Sequence, residues 1–283
     1  MERVRLRYAS AMPVDPQLRT LNIDIPARPD ALVRLSLLLA DEDVNLEAIG
    51  KLVESDMALA AAVMKAVNSS LYGLRGRVQS VQQAVTYLGT REVAGITFEM
   101  GLRAAFPPAA DLEPIWSRAS ERGLLMGRLG QGLGLDAWAA HSAGLFEECG
   151  KAVLFRHAPE HYPAMLRAAA TDTDLCQIEH TGFGVSHDAL GAALCDSWGL
   201  GQAAVGCVRH HVQAQATQVI EGPLPRQHVL ALSVGVRAMM SQPEALDEVV
   251  GKAAPQAELD TTLMLRAARR LAEQLAEAAE HGR

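Results

Sequence analysis

From Pro29 onward the apolar residues recur at helical spacing almost without interruption. Ala31, Leu32, Leu35, Leu38 and Leu39 form the i, i+3, i+4, i+7, i+8 stripe of an amphipathic helix. Pro29 and Asp30 suit its start. The proline lacks an N–H that would go unpaired there, and the carboxylate faces the positive end of the helix dipole. Asp41-Glu42-Asp43 is expected to end this helix, and Asn45 to cap a second with Leu46, Ile49, Leu52 and Val53 on one face. Asp56 opens a third, apolar nearly all round from Ala58 to Val67, as expected of a helix central in a bundle. It stops at Asn68-Ser69-Ser70, and Tyr72-Gly73 makes the turn. Ser80 is placed to cap a fourth helix, with Val81, Ala84, Val85 and Leu88 inward and Gly89 at its C-terminal end. Arg91 to Ala105 forms a fifth.

Strand patterning is confined to Arg3–Tyr8, where charged and apolar residues alternate as in a short edge strand or a frayed tail. Two stretches break the helical pattern. Phe106-Pro107-Pro108-Ala109-Ala110-Asp111 cannot continue a helix, and Val219 to Pro225 carries Gly-Pro and Leu-Pro pairs. They divide the chain into an extension (1–21), a first helical subdomain (22–107), a second (111–215) and a C-terminal helical segment (226–283). The expected fold is all-α, with two packed helical subdomains.

Composition narrows the function classes. The 283 residues are 49% hydrophobic and 21% charged, so a sizeable core is available and disorder is excluded. Acidic residues outnumber basic ones 33 to 26, for a net charge of −7, and no basic stripe interrupts this, so a nucleic-acid partner is not expected. The N-terminus has charges where a signal peptide needs its apolar stretch, and no apolar run approaches the roughly 20 residues of a membrane span. A cytoplasmic location is expected. Cys149, Cys176, Cys195 and Cys207 are scattered with no CxxC pair, the pattern of free thiols rather than a zinc site. Gly130-Gln131-Gly132-Leu133-Gly134 lacks the Lys-Ser/Thr of a phosphate loop and reads as a helix end.

Three segments are more specific. Leu52-Val53-Glu54-Ser55-Asp56-Met57-Ala58-Leu59, Val67-Asn68-Ser69-Ser70-Leu71-Tyr72-Gly73 and Val78 through Gly89 follow one another in that order. Together they closely resemble the signature of the HD-related output domain (HDOD) family, and the resemblance runs from about Pro26 to His211. Asp56, Asn68, Ser69, Tyr72, Gly73, Ser80, Gly89, Gly150, Lys151 and Trp198 are the signature positions, with a structural role expected for each. The second half of the family resembles the HD metal-dependent phosphohydrolase core, which carries a histidine after an aromatic residue and then a Leu-Leu-His-Asp-Ile-Gly-Lys motif. Here Trp116 is followed by Ser117 and Arg118, and the second motif reads Leu145-Phe146-Glu147-Glu148-Cys149-Gly150-Lys151. Glu179, Gly184, His187, Gly191 and Trp198 match later family positions, and His210-His211 resembles the closing histidine pair.

The departures shape the expectation. HD chemistry needs imidazole and carboxylate ligands on a divalent ion that activates water. Two glutamates stand in place of the His-Asp pair, and a guanidinium is no ligand. The resemblance therefore implies a non-catalytic bacterial signalling output or scaffold protein with no cofactor, acting on a signalling protein or small ligand. Its candidate contact groove comprises Arg118, Glu147, Glu148, His187, His210 and His211. One glutamate is expected to be solvated and the other paired with a base such as Arg118. Two alternatives stay open. One is a divergent phosphohydrolase using Glu147, Glu148, His187 and His210; the other is a nucleotide sensor in the vestigial pocket. His141, His157, His161 and His180 are expected at the surface or in caps, Arg75-Gly76-Arg77 in a solvated loop, and Cys149 inside the bundle. The oligomeric state is left open.

Overall fold

The computed structural model describes residues 23–39, 46–69, 72 and 78–280. The expected strand at Arg3–Tyr8, the stop at Asp41-Glu42-Asp43, Asn45, Ser70, Gly73 and the Arg75-Gly76-Arg77 loop lie outside them. Among the described residues every regular element is helical.

The N-terminal bundle comprises α1 (Asp30–Leu39), α2 (Leu46–Glu54), α3 (Met57–Val67) and α4 (Val81–Ala104). Its ends are set by the caps the sequence supplies. The Asp56 carboxylate accepts from the backbone N–H groups of Ala58 and Leu59, and the Ser80 hydroxyl accepts from that of Gln83. Each cap satisfies donors that the first helical turn leaves unpaired. Asn68 joins two elements. Its side-chain amide donates to the Met64 carbonyl at the end of α3 and to the Val78 carbonyl just before α4, both at 3.0 Å. The fourth and fifth helices expected from the sequence run together as α4, broken by a kink at Gly89. There φ is 83° and ψ 167°, a conformation that costs glycine little and an L-residue much.

A second lobe comprises α5 (Glu113–Gly132), α6 (Ala137–Phe146), α7 (Cys149–His157), α8 (Tyr162–Ala168), α9 (Asp172–Phe183), α10 (His187–Ser197) and α11 (Gln202–Thr217). The C-terminal segment adds α12 (Leu224–Ser241), α13 (Leu246–Gln256) and α14 (Thr261–Glu280). The Gly130–Gly134 stretch does end a helix, as its lack of a following Lys-Ser/Thr implied.

Two apolar clusters hold these elements. One joins Leu32, Val63 and Ile96 of the N-terminal bundle to Phe146, Leu154 and Trp198 of the second lobe. Phe146 bridges them, its ring 5.6 Å from both Phe98 and Trp198. Trp198 also donates its indole N–H to the Pro26 carbonyl at 2.9 Å, which fastens the chain's entry segment to the second lobe. The other cluster joins inner faces of α5, α6 and α11 to α12, α13 and α14 through Leu125, Ala140, Leu232, Val250 and Met264. α12 is thus laid against the second lobe, next to the turn between α6 and α7. No helix among the described residues is long and apolar enough to cross a membrane.

Candidate functional site

Five helices and one helix junction aim side chains at one point. On α5, Arg118 and Arg122 are one turn apart and share a face. The turn between α6 and α7 presents Glu147 and Glu148, and the first turn of α7 presents Lys151. Asp172 opens α9, Gln215 comes from α11, and α12 contributes Ser233 and Arg237.

Glu148 is the hub. Arg118 grips it with two hydrogen bonds of 3.1 Å, Arg122 Nη1 donates at 3.1 Å, and Lys151 Nζ donates at 2.6 Å. Lys151 also donates to Asp172 at 2.8 Å, and Asp172 accepts from Arg237 at 2.8 Å. Glu147 is completely buried. It accepts from Gln215 and, at 3.0 Å, from Ser233, and its Oε2 lies 3.6 Å from Arg122 Nε. The expectation of one solvated glutamate is therefore corrected, because both are buried. The expected pairing with Arg118 does occur, at Glu148.

The electrostatics follow from this geometry. Burial by itself pushes the Glu148 carboxyl up, but Lys151, Arg122 and Arg118 outweigh it and hold the group well below the usual carboxylate range. Burial likewise opposes the charge on Lys151 and on Arg122. The adjoining carboxylates more than restore it, and both groups are pushed above their ordinary values. Asp172 is pulled down against its own burial, chiefly by Lys151.

A histidine pair adjoins this network. The rings of His187 and His211 are 5.7 Å apart, and both side chains are buried. His187 Nδ1 donates to Glu179 at 2.7 Å, and His211 Nδ1 donates to the Val208 carbonyl at 2.7 Å. Neither Nε2 atom has a protein partner. Burial lowers the His211 pKa. Glu179 also accepts from the Tyr162 hydroxyl at 2.5 Å and from the His187 backbone N–H at 2.8 Å. Among the described residues, Cys176, Glu179 and His187 bring three donor atoms within 4.8 Å of one another, close enough to share an ion. Burial pushes the Cys176 thiol up to about 12.

Of the six candidate groove residues, Arg118, Glu147 and Glu148 meet in the charge network, with His187 and His211 beside it. His210 does not join them. It lies half-buried beside a separate depression with Glu221 and Arg226. The periodicity of α11 separates the two histidines, because Ala204, Cys207, Val208, His211 and Val212 form its buried stripe and His210 falls off it. Cys149 is buried, as expected. His161 and His180 are exposed, but His141 is not the surface residue expected. Its ring fills the space left by Gly95 and Gly127, and burial lowers its pKa to about 4.

Sequence reasoning missed Arg122, Asp172, Gln215, Ser233 and Arg237. Arg122 had a readable signal. It is a charged residue on the apolar stripe of Ile115, Ala119 and Met126, where burial demands a partner. The others had none, since their role depends on which helices pack together.

Gly150 accounts for one part of this assembly. A Cβ there would lie 1.9 Å from the His187 carbonyl oxygen, so only glycine allows α7 and α10 to come this close. That contact sets the histidine pair beside the charge network.

The comparisons with known proteins agree with this architecture. A model of the HDOD domain matches residues 25–214. A Treponema pallidum (strain Nichols) protein of uncharacterised function is 27% identical over 192 residues, which are 66% of this chain and 37% of that protein. The chain thus spans little more than a third of that relative's length. Among solved structures, a Marinobacter aquaeolei VT8 protein named for signal transduction aligns with a TM-score of 0.66 and 23% identity, over 92% of this chain and 60% of its own. An HDOD domain protein of unknown function from Geobacter sulfurreducens aligns at 0.64 and 18%, over 90% and 93%. A Shewanella amazonensis SB2B protein that carries a phosphohydrolase name aligns at 0.66 and 18%, over 94% and 97%. At these identities the structures speak to the fold alone. α12, which supplies Ser233 and Arg237, lies beyond the residues the family model matches.

Proposed function

The chain belongs to the HDOD family, and from that premise we propose that it acts in bacterial signalling as a non-catalytic binding protein of the cytoplasm. One observation carries the reading. The two glutamates in the place of the His-Asp pair are already neutralised by fixed protein cations, with Arg122 bridging them and Arg118 and Lys151 adding to Glu148.

The donor set does not fit a divalent ion. A hard dication needs carboxylate oxygens free to coordinate it. Here it would have to displace buried charge-assisted hydrogen bonds and then sit beside a guanidinium and an ammonium. At short range and low dielectric that repulsion is large. The ion pairs do the structural work that a metal would otherwise do, tying α5, α7 and α9 together. With no activated water, the lobe is suited to present a surface or hold a ligand.

The two unpartnered Nε2 atoms of His187 and His211 are what favours the competing reading of a divergent phosphohydrolase. Metal content decides between the two. The full chain, purified without chelator, is expected to carry far less than one equivalent of any transition metal. It is also expected not to hydrolyse bis-p-nitrophenyl phosphate with added Mn²⁺. About one equivalent, lost in His187→Ala together with hydrolysis, would overturn the proposal.

A further inference from the structure

The charge network lines a cavity of about 220 Å³ that adjoins a second cleft of about 380 Å³, and its chemistry is not spent by its internal pairs. The inner cavity is lined by Arg118, Arg122, Lys151 and Arg237 against only two carboxylates, Glu148 and Asp172. Arg122 is almost fully buried, yet its Nη2 has no hydrogen-bond partner. A buried guanidinium nitrogen without an acceptor is costly, and native proteins rarely leave one so. Lys151 Nζ has three donors and meets two carboxylates. Arg118 and Arg237 line the same cavity with side chains 48% and 44% exposed, so both reach solvent.

We propose that this cavity binds the phosphoryl group of a small organic phosphate, held without metal by Arg118, Arg122, Lys151 and Arg237. The proposal rests on the non-catalytic reading of the same cluster. Four cations against three carboxylates, with Glu147 as Arg122's other partner, leave an excess positive charge that draws a phosphoryl anion. Guanidinium forks suit its oxygens, and burial strengthens each contact. The rest of the ligand has a place to lie. The adjoining cleft shares Asp172, Arg237 and Ser241 with the inner cavity and continues past Thr171, Gln215 and Gln242. Together the two spaces fall in the range of small-molecule sites, roughly 300–1,000 Å³. Arg237 and Ser241 belong to α12, so this member of the family builds part of its site from helix outside the matched domain.

The test is calorimetric titration and thermal shift of the full chain with inorganic phosphate, AMP and adenosine. Phosphate and AMP are expected to bind saturably and raise the apparent Tm, AMP at least as tightly as phosphate, and adenosine to do neither. Arg118→Gln and Arg237→Gln remove half-exposed groups and keep the fold, as the ligand-free Tm will report. Each is expected to weaken binding roughly ten- to a hundredfold, as loss of a charge-assisted hydrogen bond does. Arg122 is left intact, because its loss would strand two buried glutamates. Failure of both phosphate and AMP to bind the folded chain overturns the site. So does adenosine binding as tightly as AMP, or unchanged AMP affinity in both variants. A parallel hydrolysis assay keeps the two readings apart. Turnover would overturn the non-catalytic reading and leave the anion site standing, whereas absent binding without turnover would do the reverse.

Discussion

The N-terminal bundle and the second lobe bury different things. The bundle buries mainly aliphatic side chains such as Leu32, Ile49, Val63 and Ile96, with Glu99 its one buried charged group among the described residues, and the pair of Lys51 with Glu47 is exposed. The second lobe buries Arg122, Glu147, Glu148, Lys151, Glu179, His187 and His211 alongside its apolar core. The difference teaches how each lobe is specified. Apolar packing tolerates exchanges of similar volume and loses stability in small steps. A buried ionic network fails abruptly, because removing one member leaves its partners charged and unsolvated.

Glu148→Gln tests that contrast most strongly. It removes the carboxylate that Lys151 and two arginines share, and is expected to cost about 3–5 kcal/mol in urea unfolding. Its pH dependence sharpens the point. Glu148 and Asp172 have folded-state pKa values below their unfolded ones, so their contribution holds above the carboxylate range and is lost as pH falls through it. Glu99 of the N-terminal bundle is the opposite. Burial raises its carboxyl despite Ser120 and Arg103, so its contribution is present in acid and lost as pH rises. The wild type is expected to lose stability on acidification below 4.5, the ordinary value for a glutamate, and Glu148→Gln to lose less. Parallel acid limbs would remove Glu148 as the source.

Gly150→Ala comes next. The added methyl meets backbone rather than a yielding side chain, so α7 and α10 must separate. About 1–3 kcal/mol is expected, with a changed His211 titration by NMR as the local readout. An unshifted His211 would mean the two helices are not held by that contact. The smallest effect belongs to the N-terminal bundle. Asp56→Ala removes an acceptor from two N–H groups at the start of α3 and should cost about 1 kcal/mol by the same unfolding measurement.

The local code was readable along much of the chain. The caps Asp56 and Ser80 are side chains that satisfy donors within three residues of themselves, so no tertiary knowledge was needed. The break at Gly89 was readable for the same reason, although the two helices it separates run on as one kinked element. The pairing of Arg118 with a glutamate followed from opposite charges at positions the family resemblance brings together. The burial of both glutamates did not, because it depends on α12 covering the turn between α6 and α7. No pattern in residues 224–241 announces that docking.

By itself, then, the sequence determined the helical class, the capped ends, the family and the loss of the His-Asp pair. Each of these is written in residue type and short-range spacing. Tertiary structure alone decided that Asp172, Gln215, Ser233 and Arg237 meet the two glutamates, and that a cavity lined by four cations remains. Those residues lie as far as 86 positions from their partners. The free energy of a buried charge depends on what surrounds it in space, and only the packed helices supply that.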